Sequence, residues 1–221
     1  MKKTLEQRIG LFGGTFDPVH NGHLAIARQV AEEAWLDEVL FIPTADPPHK
    51  PAPGASFWHR VAMLETVLGG SVLADDRFGI SLLEAELPFP SYTVDTLFEL
   101  KRRLRNPKCY FIIGADSLLD LHLWYQYQKL LSLTNFIVIS RPGISLMDMQ
   151  HAIERLPGFF QSDIYCQRWC RADGAEILLL MNRLTEDISS TMIRSLLKAG
   201  KAPAEVDRRV WEYILQEGLY L

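Results

Sequence analysis

Short, continuously apolar runs alternate along the chain with longer segments in which apolar residues recur every three or four positions. The runs predict buried β-strands and the periodic segments predict amphipathic helices. Strands are expected at residues 9–12, 39–42, 78–85, 109–113, 136–140 and 177–181. Helices are expected at residues 22–35, 57–68, 94–104, 117–122, 125–131, 147–156, 192–197 and 206–215.

This alternation is typical of an α/β fold, in which apolar parallel strands are covered by helices on both faces. We therefore expect one Rossmann-like, doubly wound domain with a mostly parallel sheet, spanning residues 1–221. Residues 189–221 form the C-terminal helical part of that domain. A proline-rich loop is expected at residues 43–54, whereas residues 157–174 show no pattern that predicts an element.

Composition narrows the function classes. The net charge of −4 argues against broad binding to nucleic acid or to an anionic membrane surface. No apolar run approaches the length of a membrane span, and the three cysteines suit reduced thiols, so a cytoplasmic protein is expected. Cys166 and Cys170 could share a helix face, but no further cysteine–histidine pair accompanies them, which disfavours a zinc site.

Polar clusters follow several of the predicted strands directly. They occupy residues 15–23, 49–50 and 114–116, together with Arg141. The carboxyl ends of parallel strands meet at one edge of an open sheet, where the ligand crevice forms. These separate clusters are therefore expected to converge on one site.

The first cluster joins a glycine loop to a helix start, an arrangement that turns backbone N–H groups toward a phosphate. Gly13-Gly14 fits neither the Walker pattern nor the dinucleotide fingerprint. His20 and His23 would share one face of the following helix. Their spacing alone leaves two interpretations open, namely packing at the helix start or hydrogen bonding to phosphoryl oxygens. A metal site and a covalent intermediate are both disfavoured, since no further ligand or nucleophile stands nearby.

The stretch G-G-T-F-D-P-V-H-N-G-H at 13–23 resembles the T-x-G-H-type signature of the nucleotidylyltransferase superfamily, specifically its bacterial nicotinate mononucleotide adenylyltransferase branch. Further motifs stand in the order that this family shows. They are F-I-P at 41–43, P-P-H-K at 47–50, S-Y-T at 91–93, F-I-I-G-A-D at 111–116, W-Y at 124–125, R-P-G at 141–143 and I-S-S-T-M-I-R at 188–194.

The resemblance implies transfer of the adenylyl group of ATP to nicotinate mononucleotide in NAD biosynthesis, by direct in-line attack and with pyrophosphate as the second product. It implies Mg²⁺ carried on the ATP phosphates, with no metal ligand from protein side chains. His20 and His23 would act on the reacting phosphates. The implied ATP-binding residues are Gly13, Gly14, Thr15, Phe16, His23, Gly114, Asp116, Ser190, Thr191 and Arg194.

The implied acceptor-binding residues are Lys50, Thr93, Trp124, Tyr125 and Arg141. Trp124 would stack on the pyridine ring, and N–H groups near Thr93 and Tyr125 would receive its carboxylate. Such donors predict a preference for the acid mononucleotide over the amide, whose NH₂ group would face other donors.

Three alternatives stay open on the sequence. Two are enzymes: adenylyl transfer to nicotinamide mononucleotide or phosphopantetheine, and cytidylyl transfer. The third is a nucleotide sensor on the same fold that turns nothing over, which the retained His20, His23 and Arg194 disfavour. The partners expected are small-molecule substrates only, and the sequence leaves the oligomeric state open.

Overall fold

A computed structural model describes residues 6–46, 52–69, 75–105, 107–163, 165, 167–183 and 188–220. The strands are β1 (Arg8–Gly14), β2 (Glu38–Pro43), β3 (Phe78–Ile80), β4 (Lys108–Gly114), β5 (Asn135–Ile139), β6 (Phe160–Gln161), β7 (Arg168–Cys170) and β8 (Glu176–Leu180). The helices are α1 (Asn21–Glu33), α2 (Phe57–Leu68), α3 (Thr93–Arg103), α4 (Ala115–Leu119), α5 (Tyr127–Leu133), α6 (Leu146–Glu154), α7 (Ser190–Lys198) and α8 (Arg208–Gln216).

The eight strands form one sheet in the order β3-β2-β1-β4-β5-β8-β7-β6. The six strands from β3 to β8 in this order are parallel, whereas β7 and β6 add an antiparallel extension. The strand order reverses between β1 and β4, so the crevice of a doubly wound sheet belongs there. The predicted α/β fold with a mostly parallel sheet is confirmed.

Alternate residues of each strand enter two separate hydrophobic cores, one on each face of the sheet. Phe12 and Ile112 pack with helices α1, α2, α7 and α8. Leu11 and Phe111 point the other way and pack with helices α3 to α6. Both faces are covered, which explains why the strands read as continuously apolar.

Local signals predicted the helix boundaries well where a cap was present. Ser56 precedes α2 and its hydroxyl accepts the His59 N–H at 3.3 Å, so this helix has the predicted bounds. Ser189 caps α7 in the same way by accepting the N–H of Met192. A capping hydroxyl acts within one turn, and sequence analysis can therefore find it.

Two predictions were wrong. Of the strand expected at 78–85, only Phe78–Ile80 pairs, because the chain then turns into a 3₁₀ helix at Leu83–Ala85. Cys170 lies in strand β7 rather than on a helix, and Cys166 lies outside the described residues. None of the described helices is long and apolar enough to span a membrane.

Candidate functional site

A cleft of about 1090 Å³ opens at the carboxyl edge of the sheet. It lies over the ends of β1, β2, β4 and β5, where the strand order reverses. All but one of the residues predicted for the site line it, and they come from six separate stretches of sequence. They are Gly13, Gly14, Thr15, Phe16, His20, His23, Thr93, Gly114, Asp116, Trp124, Tyr125, Arg141, Ser190, Thr191 and Arg194. Lys50 lies outside the described residues.

The glycine loop begins with Gly13 and Gly14, the last two residues of β1, and close packing beneath them shapes it. A Cβ atom on Gly14 would lie 2.8 Å from the Phe16 ring, and one on Gly13 would lie 2.9 Å from the Phe111 ring. Phe16 itself is 1% exposed, so its side chain belongs to the core, although nucleotide contact was expected of it. The Arg60 guanidinium fixes the loop from below by donating to the Thr15 carbonyl at 2.6 Å.

The two histidines stack on each other at the start of α1, with their ring centroids 3.6 Å apart. The His20 backbone N–H donates to the His23 Nδ1 at 3.3 Å, which orients the His23 ring. His20 is 5% exposed, and its Nδ1 has no hydrogen-bond partner among the described residues. Burial, helped by the nearby Arg141 charge, lowers the pKa of His20 to about 4. We therefore expect a neutral His20 imidazole near neutral pH in the ligand-free protein.

On the other side of the glycine loop, Gly114 is the last residue of β4 and Asp116 lies two residues beyond it. The Asp116 carboxylate pairs with the Arg141 guanidinium at 3.4 Å across the cleft mouth. Both groups are well exposed, so the pair is weak and can open for a ligand. Gly114 lies directly beneath this pair, and a side chain there would collide with Asp116.

The amino terminus of helix α7 lies at the cleft. The Ser190 hydroxyl donates to the Pro18 carbonyl at 3.0 Å and so ties the helix to the loop before α1. Arg194 lies one turn further along, where Nη1 donates to the Asp17 carbonyl at 2.7 Å and Nη2 to the Thr191 hydroxyl at 3.3 Å. The positive end of the helix dipole and a guanidinium therefore face the same space.

The far end of the cleft is aromatic. Trp124 is half-buried and meets the Phe111 ring edge-on, with centroids 6.3 Å apart. The Tyr125 ring lies 4.5 Å from that of Tyr92, immediately before the start of α3 at Thr93. The first N–H groups of a helix have no partner within it, so the start of α3 offers donors beside flat apolar rings.

Sequence reasoning did not predict a role for several cleft-lining residues, among them Asp17, Glu84, Lys198 and Tyr220. Asp17 and Tyr220 are both buried and bond to each other across 203 positions of the chain. The buried Glu84 carboxylate accepts the Ala45 N–H and the Thr96 hydroxyl, and burial raises its pKa. These partnerships are long-range, and no local spacing signals them. Lys198 follows Arg194 by one helical turn, so the 3.6-residue period could have found it.

A parallel sheet with a glycine loop and paired histidines at its switch point suits the binding of a nucleotide. The model of cytidylyltransferase-like proteins matches residues 11–196, and the chain belongs to that family. It is 38% identical over 217 residues to the probable nicotinate-nucleotide adenylyltransferase of Gloeobacter violaceus, covering 97% of this chain and 96% of the relative. It is equally similar to the nicotinate-nucleotide adenylyltransferase of Bacillus subtilis, covering 97% and 98% of the two chains. Within the larger family, the chain therefore belongs to the nicotinate-nucleotide adenylyltransferases.

Solved structures agree on the fold. Plasmodium falciparum nicotinic acid mononucleotide adenylyltransferase complexed with NaAD superposes with a TM-score of 0.77 at 20% identity, covering 97% of both chains. The complex of the same protein with APC gives a TM-score of 0.74. The resemblance to this branch in the sequence motifs is confirmed.

Proposed function

We propose that this protein transfers the adenylyl group of ATP to nicotinate mononucleotide, forming nicotinate adenine dinucleotide and pyrophosphate. The observation that carries the proposal is that one cleft joins a cationic, N–H-rich end to an aromatic end. The first suits a triphosphate and the second a pyridine ring. Family membership supports the same reaction.

In this reaction the acceptor phosphate attacks the α-phosphorus of ATP in line with the departing pyrophosphate. Such chemistry depends on positioning and on charge stabilisation more than on proton transfer. His23 and His20 stand beside the glycine loop, where the α-phosphate of a nucleotide lying along β1 would be. A neutral His20 imidazole still donates one N–H. A bound phosphate would raise the pKa of His20 and so favour the imidazolium form, which has a second N–H to donate.

The leaving phosphates are assigned to the start of α7. Arg194, Thr191 and the N–H groups of the first turn face this part of the cleft. The Ser190 hydroxyl already donates to Pro18, so we assign its backbone N–H, rather than its side chain, to the phosphates. Lys198 lines the cleft on the same face and adds a further cation.

Mg²⁺ is proposed to enter with ATP. The described residues contain no group of three or more His, Cys, Asp or Glu placed to hold a metal ion. A Mg²⁺ ion held mainly by phosphate oxygens and water fits that donor set, because it needs no protein cage. When bound, it would neutralise charge on the leaving phosphates.

The pyridine end sets the choice of acceptor. We assign the ring to Trp124 and its carboxylate to the N–H groups at Thr93 and Tyr125, with Arg141 and Lys50 near the acceptor phosphate. In a site lined by hydrogen-bond donors, an amide NH₂ group would leave buried donors unpaired. The loss of binding free energy is then larger than for a small change in ligand size. The acid mononucleotide is therefore the preferred acceptor.

A pyrophosphate-release assay tests the proposal. ATP and Mg²⁺ are mixed with nicotinate mononucleotide, nicotinamide mononucleotide or phosphopantetheine in turn, and CTP replaces ATP in a parallel series. The proposal requires release with ATP and nicotinate mononucleotide, at a kcat/KM at least about tenfold above that for the amide. Comparable kcat/KM for acid and amide would contradict the carboxylate assignment. ATP binding without release for any acceptor would favour the sensor.

The remaining assignments follow from this reaction. Both substrates are small molecules, and we propose no nucleic acid or membrane partner. A cytoplasmic location stays a prediction from composition.

A further inference from the structure

The buried carboxylate of Asp17 lies where four parts of the chain meet. Asp17 is 3% exposed and sits in the loop between β1 and α1, within the cleft wall. Its carboxylate accepts the N–H of Gly54 at 2.7 Å and the N–H of Ala55 at 3.0 Å. The segment before α2 is thereby fixed against the loop that precedes the two histidines.

The other two partners of Asp17 come from the C-terminal part of the chain. The Tyr220 hydroxyl donates to Oδ1 at 2.6 Å, and the Arg194 Nη1 lies 3.5 Å from Oδ2. The same Arg194 nitrogen donates to the Asp17 backbone carbonyl at 2.7 Å. Asp17 thus connects Tyr220 to the guanidinium assigned to the ATP phosphates.

Tyr220 is built into this position. It is 8% exposed, and its ring packs so closely on Gly54 that a Cβ atom there would lie 3.0 Å away. Burial and the hydrogen bond to Asp17 raise the pKa of the Tyr220 phenol, so the hydroxyl stays a donor across the whole functional pH range. A buried carboxylate needs such donors, because each one missing costs free energy.

We propose that Tyr220 is a positioning residue for ATP, which acts by satisfying the Asp17 carboxylate and so leaving the Arg194 guanidinium available to the phosphates. Without the hydroxyl, Asp17 would draw Arg194 toward Oδ2 and away from the cleft. The C-terminal residues of the chain would then be part of the nucleotide site, although they contact no substrate. This inference rests on the proposed function only in so far as ATP is the nucleotide.

The test compares two conservative variants of the C-terminal segment. Tyr220→Phe removes the hydroxyl but keeps the ring on Gly54. Tyr213→Phe is the matched control, because its hydroxyl also makes one long-range bond, to the His59 Nδ1 at 2.8 Å, but it lies outside the cleft lining. The dissociation constant of a non-hydrolysable ATP analogue is measured by calorimetry for both, and the KM for nicotinate mononucleotide is measured alongside.

We expect Tyr220→Phe to weaken analogue binding about 3- to 10-fold, which is less than the roughly tenfold or greater loss for a direct hydrogen bond to a charged group, because the hydroxyl acts through a second residue. The KM for nicotinate mononucleotide should stay within about twofold, and Tyr213→Phe should leave both values unchanged. In an Arg194→Ala background the effect of Tyr220→Phe on analogue binding should vanish, since the two residues act in series.

Equal weakening by both tyrosine variants, or unchanged analogue binding in Tyr220→Phe, would overturn the inference. So would an undiminished effect in the Arg194→Ala background. A wild-type chain that binds the analogue but transfers no adenylyl group would overturn the proposed function alone. A wild-type chain that binds no analogue would overturn both.

Discussion

The two edges of the sheet each bury a carboxylate, but they treat it differently. At the amino edge, the Glu176 carboxylate pairs with Lys108 at 2.7 Å and with Arg168 at 2.6 Å, and it accepts the Tyr110 hydroxyl. At the carboxyl edge, Asp17 also has its donors, from Gly54, Ala55 and Tyr220, but its charged partner Arg194 lines the cleft. Two other cleft groups lack partners among the described residues: the His20 Nδ1 has no hydrogen bond, and no carboxylate pairs with Lys198.

We infer that the polar groups at the amino edge stabilise the fold, whereas those at the carboxyl edge bind the ligand. Buried polar atoms are nearly always hydrogen-bonded, and because Glu176 and its partners lie outside the cleft lining, we expect that cluster to contribute to the fold alone. An unpartnered buried nitrogen beside a glycine loop costs stability, and a ligand that supplies its partner recovers that cost. The following predictions test this contrast between the two edges.

Removing the charge at the amino edge should have the largest effect, and only on stability. Glu176→Gln leaves Lys108 and Arg168 without their carboxylate, and we expect the free energy of unfolding to fall by about 3 kcal/mol. Urea denaturation measures this, with Glu212→Gln as the control, because its ion pair with Arg208 is exposed and worth under about 1 kcal/mol. A loss of kcat/KM in Glu176→Gln would show that the edges are not functionally distinct.

At the carboxyl edge the prediction is reversed, since activity should fall and stability should hold. His23→Ala removes a donor placed for the transition state, and we expect kcat to fall about 100-fold or more, with a much smaller change in the KM for ATP. Steady-state pyrophosphate release measures both values. His122→Ala serves as the control, because it removes an exposed imidazole outside the cleft lining. An effect confined to the KM would mean that His23 binds only the ground state.

The buried His20 should make the free protein less stable as the pH falls. Its pKa is about 4 when folded, against an ordinary value of 6.5, so between these values only the unfolded chain takes up the proton. Stability should therefore decline from pH 6.5 to pH 4, by at most about 1.4 kcal/mol per unit for this group. Urea midpoints at several pH values measure the slope, which His20→Asn should flatten and His122→Asn should leave in place. An unchanged slope in His20→Asn would mean that a group other than His20 takes up the proton that destabilises the protein.

Substitution of Lys198 should have the smallest and most selective effect of the four. We expect Lys198→Ala to raise the KM for ATP about 3- to 10-fold through one lost phosphate contact, without changing the KM for nicotinate mononucleotide. Lys201→Ala is the charge-matched control, because this exposed lysine lies three residues further on and outside the cleft lining. Equal effects of the two variants would mean that Lys198 acts only through the net charge of the protein.

The fold was predictable where the signal is local. Strands β1, β2, β4, β5 and β8 are apolar runs ended by polar or glycine residues, and each was found within about two residues of its bounds. Strands β6 and β7 were not, because they are only two and three residues long, which is too short to show a period. The strand predicted at 78–85 was cut short because Leu83–Ala85 turns to bury Glu84, a contact made with α3 rather than with β2.

In the site, too, local features were predictable from the sequence and long-range contacts were not. Its cleft-lining residues were predictable because the glycine loop, the paired histidines and the start of α7 are contiguous motifs. The groups that hold them were not: Arg60 reaches Thr15 from 45 positions away, and Tyr220 reaches Asp17 from 203. Burial also changed the chemistry of His20 in a way that its residue type alone does not show.

The most direct test of the account is a crystal structure of this chain with nicotinate adenine dinucleotide bound. We expect the two phosphates against His20, His23 and the glycine loop, and the pyridine ring on Trp124. The pyridine carboxylate should meet the N–H groups at Thr93 and Tyr125. A dinucleotide bound outside the carboxyl-edge cleft, or a pyridine carboxylate directed to solvent, would contradict it.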